Sequence, residues 1–369
     1  MDVSDIPDFD AHEDVRVFEF DELGARAIIA VHSTWRGPAA GGCRVWAYPQ
    51  LAPALTDALR LSRGMSYKNA LADLPFGGGK AVIIPPAGGF DRRALFAAFG
   101  RAVESFGGRY ITAEDVGSNV ADMQIVATQT RHVGGLPPKG GQAGGDPSPW
   151  TALGVFLSIQ AAMKWRLGRP LNGAKVTVQG VGAVGADLCR RLVEAGAEVT
   201  LADVDATRAQ AVAERTSAYV ADPKDIHRLD ADVFAPCALG AGLNAMTIGE
   251  IGPAIICGAA NNQLANATIG EALCRRGKLY CPDYVVNAGG IIAVHGEGAG
   301  DPVAQVAEKV AAIPGRLVGI LKTAERSCLS PAAVADRMAR DRIGRGRPGK
   351  GEARAERKTV LAEPGPIRG

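Results

Sequence analysis

The segment VQGVGAVGADL, residues 178–188, constrains this chain more than any other stretch. It follows an apolar run, KVTVQ (Lys175 to Gln179), and opens a helical pattern from Gly182 to Ala195. Strand, glycine turn and helix in that order are the start of a βαβ unit. The rhythm continues with strand candidates at Glu198 to Asp203, Ala231 to Cys237, Ala254 to Ala260 and Lys278 to Asp283. Strands that alternate with helices imply a parallel sheet covered by helices.

Each glycine of the turn has a physical task. Gly180 permits the tight turn, Gly182 lets a pyrophosphate approach the backbone, and Gly185 lets helix and strand pack closely. The first helical residues, among them Ala183 and Val184, offer free N–H groups and the positive end of the helix dipole. Asp203 ends the next strand, about 20 residues on, where a ribose-binding carboxylate belongs. It would accept hydrogen bonds from ribose hydroxyls and repel a 2′-phosphate, which favours NAD over NADP. Asp205 lies close enough to share that role. The bland alternative is a glycine turn followed by an exposed aspartate.

The first half reads differently. Val15 to Phe20 and Arg26 to His32 are adjacent strand candidates. Leu51 to Arg63 has helical spacing and is expected to stop at Gly64, before a glycine-dense loop and a strand at Ala81 to Ile84. Arg92 to Phe106 reads as a helix, and RYITAEDVG as a strand and a polar turn. Residues 134–147, GGLPPKGGQAGGDP, form a Gly/Pro break that suits a domain boundary. After it, Ser148 is expected as an N-cap, with Pro149 at the first helical position of a helix reaching Leu167. Val303 to Leu321 reads as one long amphipathic helix. The division expected is 1–145, 146–330, a C-terminal helix at 331–344 and a basic, disordered tail at 345–369.

Composition narrows the function classes. With 41 basic and 39 acidic residues the net charge is +2, which argues against a large nucleic-acid footprint. Seven scattered cysteines form no C-x-x-C pair, so neither a metal site nor a disulfide framework is expected. No apolar run is long enough to span a membrane, and the acidic start MDVSDIPDFDAHED lacks the features of a signal peptide. The expected location is the cytoplasm.

The densest chemical signal is GMSYKNALADLPFGGGKAVI, Gly64 to Ile83. It sets Lys68 and Lys80 around the glycines 77–79. A loop without side-chain bulk would hold Lys80 against a substrate and partly desolvate it. Desolvation and a second cation both favour the neutral amine, which suits acid–base work near neutral pH. The alternative is a solvated lysine after a flexible turn.

At this point the sequence resembles the amino-acid dehydrogenases that act on glutamate, leucine, valine and phenylalanine, and the leucine dehydrogenase branch most. The blocks GPAAGGCR, GMSYKNALADLPFGGGKAVI, YITAEDVGS, SPWTALGVF, the glycine fingerprint, GAANNQL and PDYVVNAGGII occur in order across about 10–344. The resemblance implies an N-terminal α/β substrate domain and a C-terminal Rossmann-type NAD-binding domain with a cleft between. It implies oxidative deamination of an L-amino acid with NAD to a 2-oxo acid, ammonium and NADH, and the reverse. It also implies that Lys68 pairs with the substrate carboxylate, that Lys80 activates the attacking water, and that Asp115 exchanges a proton with the amino group. Asp115 between two lysines would be ionised.

By the same resemblance, Gly41 and Gly42 line the substrate wall, and Asn287 contacts the substrate carboxylate. Gly290 and Ile291 face the side-chain pocket, while Thr151 and Asn262 lie near the nicotinamide. Where the glutamate branch has a lysine for the distal carboxylate, this chain has Ala40. Burying a second carboxylate without a cation is costly, so an apolar substrate is expected: leucine, isoleucine or valine. Phenylalanine or tryptophan is the runner-up, and a non-catalytic NAD-binding sensor the alternative from another class. Glu114, beside Asp115, is expected to raise that neighbour's proton affinity. A homo-oligomer without membrane or nucleic-acid partners completes the expectation.

Overall fold

The computed structural model describes residues 2–138, 140–238 and 240–345. The expected basic tail lies outside the described residues, apart from Arg345. That arginine is tied down: its guanidinium donates to the carbonyls of Asp10, Ala11 and His32. The chain divides into two compact units. One comprises Met1–Asp146, Val294–Val303 and the chain from Ala339 onward, the other Pro147–Ala293 and Ala304–Met338.

The first unit contains β1 (Asp14–Phe20), β2 (Ala25–Ser33), β3 (Ala39–Ala40), β4 (Cys43–Val45), α1 (Leu51–Leu71), β5 (Gly77–Ile84), α2 (Arg92–Glu104), β6 (Tyr110–Ile111) and α3 (Val120–Ala127). Its mixed sheet has the order β1-β2-β5-β3-β6, with β4 also on β5. β1, β2 and β5 run antiparallel, and Ala30 pairs with Lys80. Strand alternation sorts the core. Ile28, Ala30 and Val82 pack with Leu55 and Leu59 of α1, whereas Ile29, Val31, Ala81 and Ile83 pack with Phe96 and Phe99 of α2. Each fully buried Ile, Leu or Phe stabilises the unit by about 1.5–3 kcal/mol.

Two expectations fail here for related reasons. α1 does not stop at Gly64 but runs to Leu71, because Ser66, Tyr67, Lys68, Asn69, Ala70 and Leu71 are all buried. That burial outweighs the roughly 1 kcal/mol that glycine costs inside a helix. The glycines 77–79 are not a loop; they are the first three residues of β5. A Cβ on Gly77 would lie 1.9 Å from the Ser33 carbonyl oxygen, and one on Gly78 2.0 Å from the Ser66 nitrogen. Close backbone packing, not flexibility, demands these glycines.

The second unit begins with α4 (Ser148–Leu167), β7 (Lys175–Gln179), α5 (Ala183–Glu194), β8 (Glu198–Ala202), α6 (Ala206–Thr216) and β9 (Tyr219–Val220). It continues with β10 (Val233–Pro236), β11 (Ile255–Ile256), α7 (Ala267–Arg275), β12 (Leu279–Tyr280) and α8 (Asp283–Val286). α9 (Gly289–Ala299), which belongs to the first unit from Val294 on, α10 (Val303–Ala311), α11 (Ile313–Ser327) and α12 (Pro331–Arg342), which belongs to the first unit from Ala339 on, follow. The parallel sheet has the order β12-β11-β10-β7-β8-β9. Its order reverses at β7, which neighbours both β8 and β10, and ligands bind at such switch points.

Three boundaries differ from expectation. β10, β11 and β12 are shorter than the apolar runs that contain them, because strand pairing covers only Val233–Pro236, Ile255–Ile256 and Leu279–Tyr280. The long helix breaks at Ala312, and Pro314, which has no N–H to donate, lies in the first turn of α11. Ser148 is the first helical residue rather than the cap: the Thr151 amide donates to the Pro147 carbonyl, so Pro147 holds the cap position.

Candidate active site

In the first unit, Lys80 follows the glycines of β5 and shares a strand face with Gly78, whose neighbour is Ser66 of α1. Lys80 is buried, 3% exposed, and its Nζ lies 2.9 Å from Oδ1 of Asp115. Asp115 sits in the turn after β6. Its amide donates to Ser118 Oγ, and that hydroxyl donates to the Cys43 carbonyl.

The other Asp115 oxygen accepts from Arg44 Nε at 3.2 Å. Arg44 also donates to Asp57, as does the Tyr48 hydroxyl. Arg44, Asp57 and Tyr48 were not foreseen. Burial alone would raise the Asp115 carboxyl, but Lys80 and then Arg44 outweigh it and hold the group well below the usual carboxylate range. Asp115 is therefore ionised between two cations, as expected, but its contacts are one lysine and one arginine.

Gly41 and Gly42 are packed against this arrangement. A Cβ on Gly41 would meet the Gly79 carbonyl oxygen at 1.8 Å, and one on Gly42 would meet Glu114 O at 2.4 Å and Asp115 Cβ at 3.0 Å. Ala40 is buried in β3 and pairs with Gly78 and Ile111. Lys68 is buried in the last turns of α1, where its carbonyl accepts from the Ala72 amide.

The expectation for Glu114 is corrected. It does not raise its neighbour; its own carboxyl is raised to about 7, by burial first and then by Asp146, Glu297 and Asp122. Its Oε1 is buried without a hydrogen-bond partner. Glu297, one of the groups responsible, accepts the amides of Gly135 and Leu136.

In the second unit the three fingerprint glycines have different surroundings. Gly180 has φ of 92°, the left-handed region, and a Cβ there would crowd Ala238 at 2.8 Å. Gly185 carries α5 so close that a Cβ would lie 2.0 Å from the Gly180 carbonyl oxygen. Gly182, the N-cap, has nothing within 4 Å of its Cβ position, and no side chain caps α5. The start of α5 at Gly182 and Ala183 is thus exposed and uncapped, and helix-start amides of this kind suit a pyrophosphate.

Asp203 stands at the end of β8. Its Oδ2 accepts the Val181 amide at 2.8 Å, and its Oδ1 accepts the Asp205 amide at 2.9 Å. Asp205 caps α6 by accepting the Arg208 amide. The residues present therefore fit a dinucleotide: an open helix N-terminus for the phosphates and an oriented carboxylate one strand away.

Five further expected residues lie in the same unit. Thr151, in the first turn of α4, adjoins Gly290, whose Cβ would lie 2.6 Å from Thr151 Oγ1. Asn287 donates to the Ala259 carbonyl and to Asn261 Oδ1, and its own Oδ1 is buried without a partner. Asn261, which was not foreseen, precedes Asn262, a residue with φ of 51° whose carbonyl accepts the Ala241 amide. Ile291 is buried on α9. Among the described residues no cluster could hold a metal ion, and no helix is long and apolar enough to cross a membrane.

Comparison with known proteins agrees across both units. Residues 13–132 match the family model "Glu/Leu/Phe/Val dehydrogenase, dimerisation domain", and 201–338 match "Glutamate/Leucine/Phenylalanine/Valine dehydrogenase". The chain is 43% identical to leucine dehydrogenase of Bacillus subtilis over 93% of its length and 94% of that protein's. It is also 43% identical to valine dehydrogenase of Streptomyces coelicolor, over 91% and 93%. The crystal structure of L-tryptophan dehydrogenase from Nostoc punctiforme superposes with a TM-score of 0.72 at 42% identity, covering 91% of this chain and 97% of that one.

Proposed function

Because the chain belongs to the Glu/Leu/Phe/Val dehydrogenase family, we propose that it deaminates an apolar L-amino acid oxidatively with NAD, and runs the reverse reductive amination. That it is an amino-acid dehydrogenase follows from its relatives; the apolar substrate and the choice of NAD are the proposal. The observation that carries it is the buried Lys80–Asp115 pair beside the glycines 41 and 42.

When bound, NAD would supply the acceptor for the hydride that leaves the substrate α-carbon. The remaining steps belong to the chain. Lys68 holds the α-carboxylate. Asp115, kept ionised by Lys80 and Arg44, takes the proton that the substrate ammonium must lose. Lys80 orients and activates the water that attacks the imino carbon, and ammonium leaves. Amino acid, water and NAD become 2-oxo acid, ammonium, NADH and a proton. Asn287 steadies the carboxylate through its unpartnered Oδ1, and Gly290 and Ile291 border the substrate side chain. Thr151 and Asn262 hold the nicotinamide end, and Asp203 accepts from the ribose hydroxyls.

Ala40 supports an apolar substrate, because it offers no cation to a distal carboxylate. Leucine, isoleucine and valine lead. The tryptophan relative keeps an aromatic substrate as the second reading. A homo-oligomer is part of the proposal, supported by the dimerisation-domain match.

The test is NADH formation, followed by absorbance, with leucine, isoleucine, valine, phenylalanine, tryptophan, alanine and glutamate. The proposal expects the branched-chain substrates to turn over fastest and glutamate slowest. A signal with aromatics alone would establish the second reading. Silence across the panel with NAD bound would point to a non-catalytic sensor.

A further inference from the structure

The ribose end of the fingerprint carries a cation that the proposed role of Asp203 leaves unused. Arg208 lies in the first turn of α6, three residues after the cap Asp205. Its guanidinium bridges two carboxylates, with NH1 3.3 Å from Asp203 Oδ1 and NH2 3.1 Å from Asp205 Oδ2.

The two carboxylates are held differently. Asp203 is only 6% exposed, and the amides of Val181 and Asp205 fix it whether or not Arg208 is present. Asp205 is half exposed, like the guanidinium, and exposed pairs of this kind bind weakly. Its other oxygen keeps the Arg208 amide, so Asp205 can release the guanidinium and still cap the helix. Val204, between the two aspartates, leaves its apolar side chain almost wholly exposed, an open flank beside the ribose carboxylate.

We infer that Arg208 receives a 2′-phosphate, so that this chain separates NAD from NADP less sharply than Asp203 alone would dictate. The inference rests on reading Gly180 to Asp203 as the dinucleotide site. With NAD, the ribose hydroxyls donate to Asp203 and Arg208 stays on the carboxylates. With NADP, a phosphate dianion arrives beside two aspartates. The planar guanidinium turns from Asp205 to the phosphate oxygens, where a bidentate contact is available. Two carboxylates and one guanidinium leave these side chains with one net negative charge; without Arg208 they would carry two.

Calorimetric titration of the full-length protein with NAD and with NADP tests this without relying on turnover. In Arg208→Ala the NADP-to-NAD affinity ratio should fall about tenfold or more, the usual worth of hydrogen bonds to a charged group. Asp205→Asn keeps a capping side chain, frees the guanidinium and removes a negative charge, so the ratio should rise about threefold or more. A ratio in Arg208→Ala that matches the unaltered protein overturns the inference, as does NADP binding too weak to detect in the unaltered protein. Failure to bind either dinucleotide would reject the underlying reading of the site, and this inference with it.

Discussion

Lys80 and Asp115 meet at 2.9 Å inside the first unit, and Arg44 meets the other oxygen of the same carboxylate at 3.2 Å. The carboxylate is thus clamped from both sides in a place from which water is largely withdrawn. One lysine alone would leave a buried charge with half its hydrogen-bonding capacity unused.

The clamp gives acid stability a definite sign. Asp115 is depressed in the folded protein by Lys80 and Arg44 against the opposing effect of burial. Its contribution is therefore complete above the ordinary aspartate range near pH 4 and is lost as pH falls below it. Asp115→Asn takes the carboxylate from Lys80 and leaves Arg44 with Asp57 as its counterion. The melting temperature of this variant should lie well below that of the unaltered protein at about pH 7, and the gap should narrow by about pH 3. A gap independent of pH would sink the argument.

Glu114 gives the opposite sign. Its carboxyl is raised to about 7 by burial and by Asp146, Glu297 and Asp122. Stability from its protonated form is complete below about pH 4.5 and is lost as pH rises through about 7. Glu114→Gln should therefore gain melting temperature relative to the unaltered protein on moving from about pH 5 to about pH 8. Parallel melting curves across that range would show that Glu114 ionises without penalty.

Two glycines separate folding from binding. A Cβ at Gly78 would lie 2.0 Å from the Ser66 backbone nitrogen, whereas one at Gly182 meets nothing within 4 Å. Gly78→Ala should cost about 1–3 kcal/mol or more in urea unfolding, because α1 must move off β5. Gly182→Ala should stay within about 0.5 kcal/mol yet bind NAD at least tenfold more weakly, since its methyl occupies the space assigned to the phosphates. Equal losses of stability in the two variants would contradict this division.

What the sequence shows well is what is local. The turn at Gly180, Gly182 and Gly185 lies between β7 and α5, and Asp203 follows β8, because strand, helix and glycine signals sit side by side along the chain. Lys80 and Asp115 were legible as a chemical pair through the family's motif blocks. Their third partner was not: Arg44 stands 71 residues from Asp115, and only the fold brings it there. The one local hint was a charged residue closing the glycine-dense block GPAAGGCR.

Two glycine signals in the first unit have non-local causes. Gly64 looked like a helix stop, but burial of the following turns carries α1 to Leu71. The glycines at 77–79 looked like a loop, but they pack against Ser33, Ser66 and Tyr110 as a strand. A glycine's need for close approach is set by what lies opposite, which no local pattern records. Glu114 is set by its surroundings in the same way, since the acids that raise it include Asp146 and Glu297, far along the chain.

The most direct test of the central claim is turnover of L-leucine by Lys80→Ala, measured beside NAD affinity of the same protein by titration. The account predicts a loss of kcat of about a thousandfold or more with NAD affinity within about threefold, because Lys80 acts on the water and the substrate rather than on the dinucleotide. Turnover close to that of the unaltered protein, with NAD still bound, would contradict it.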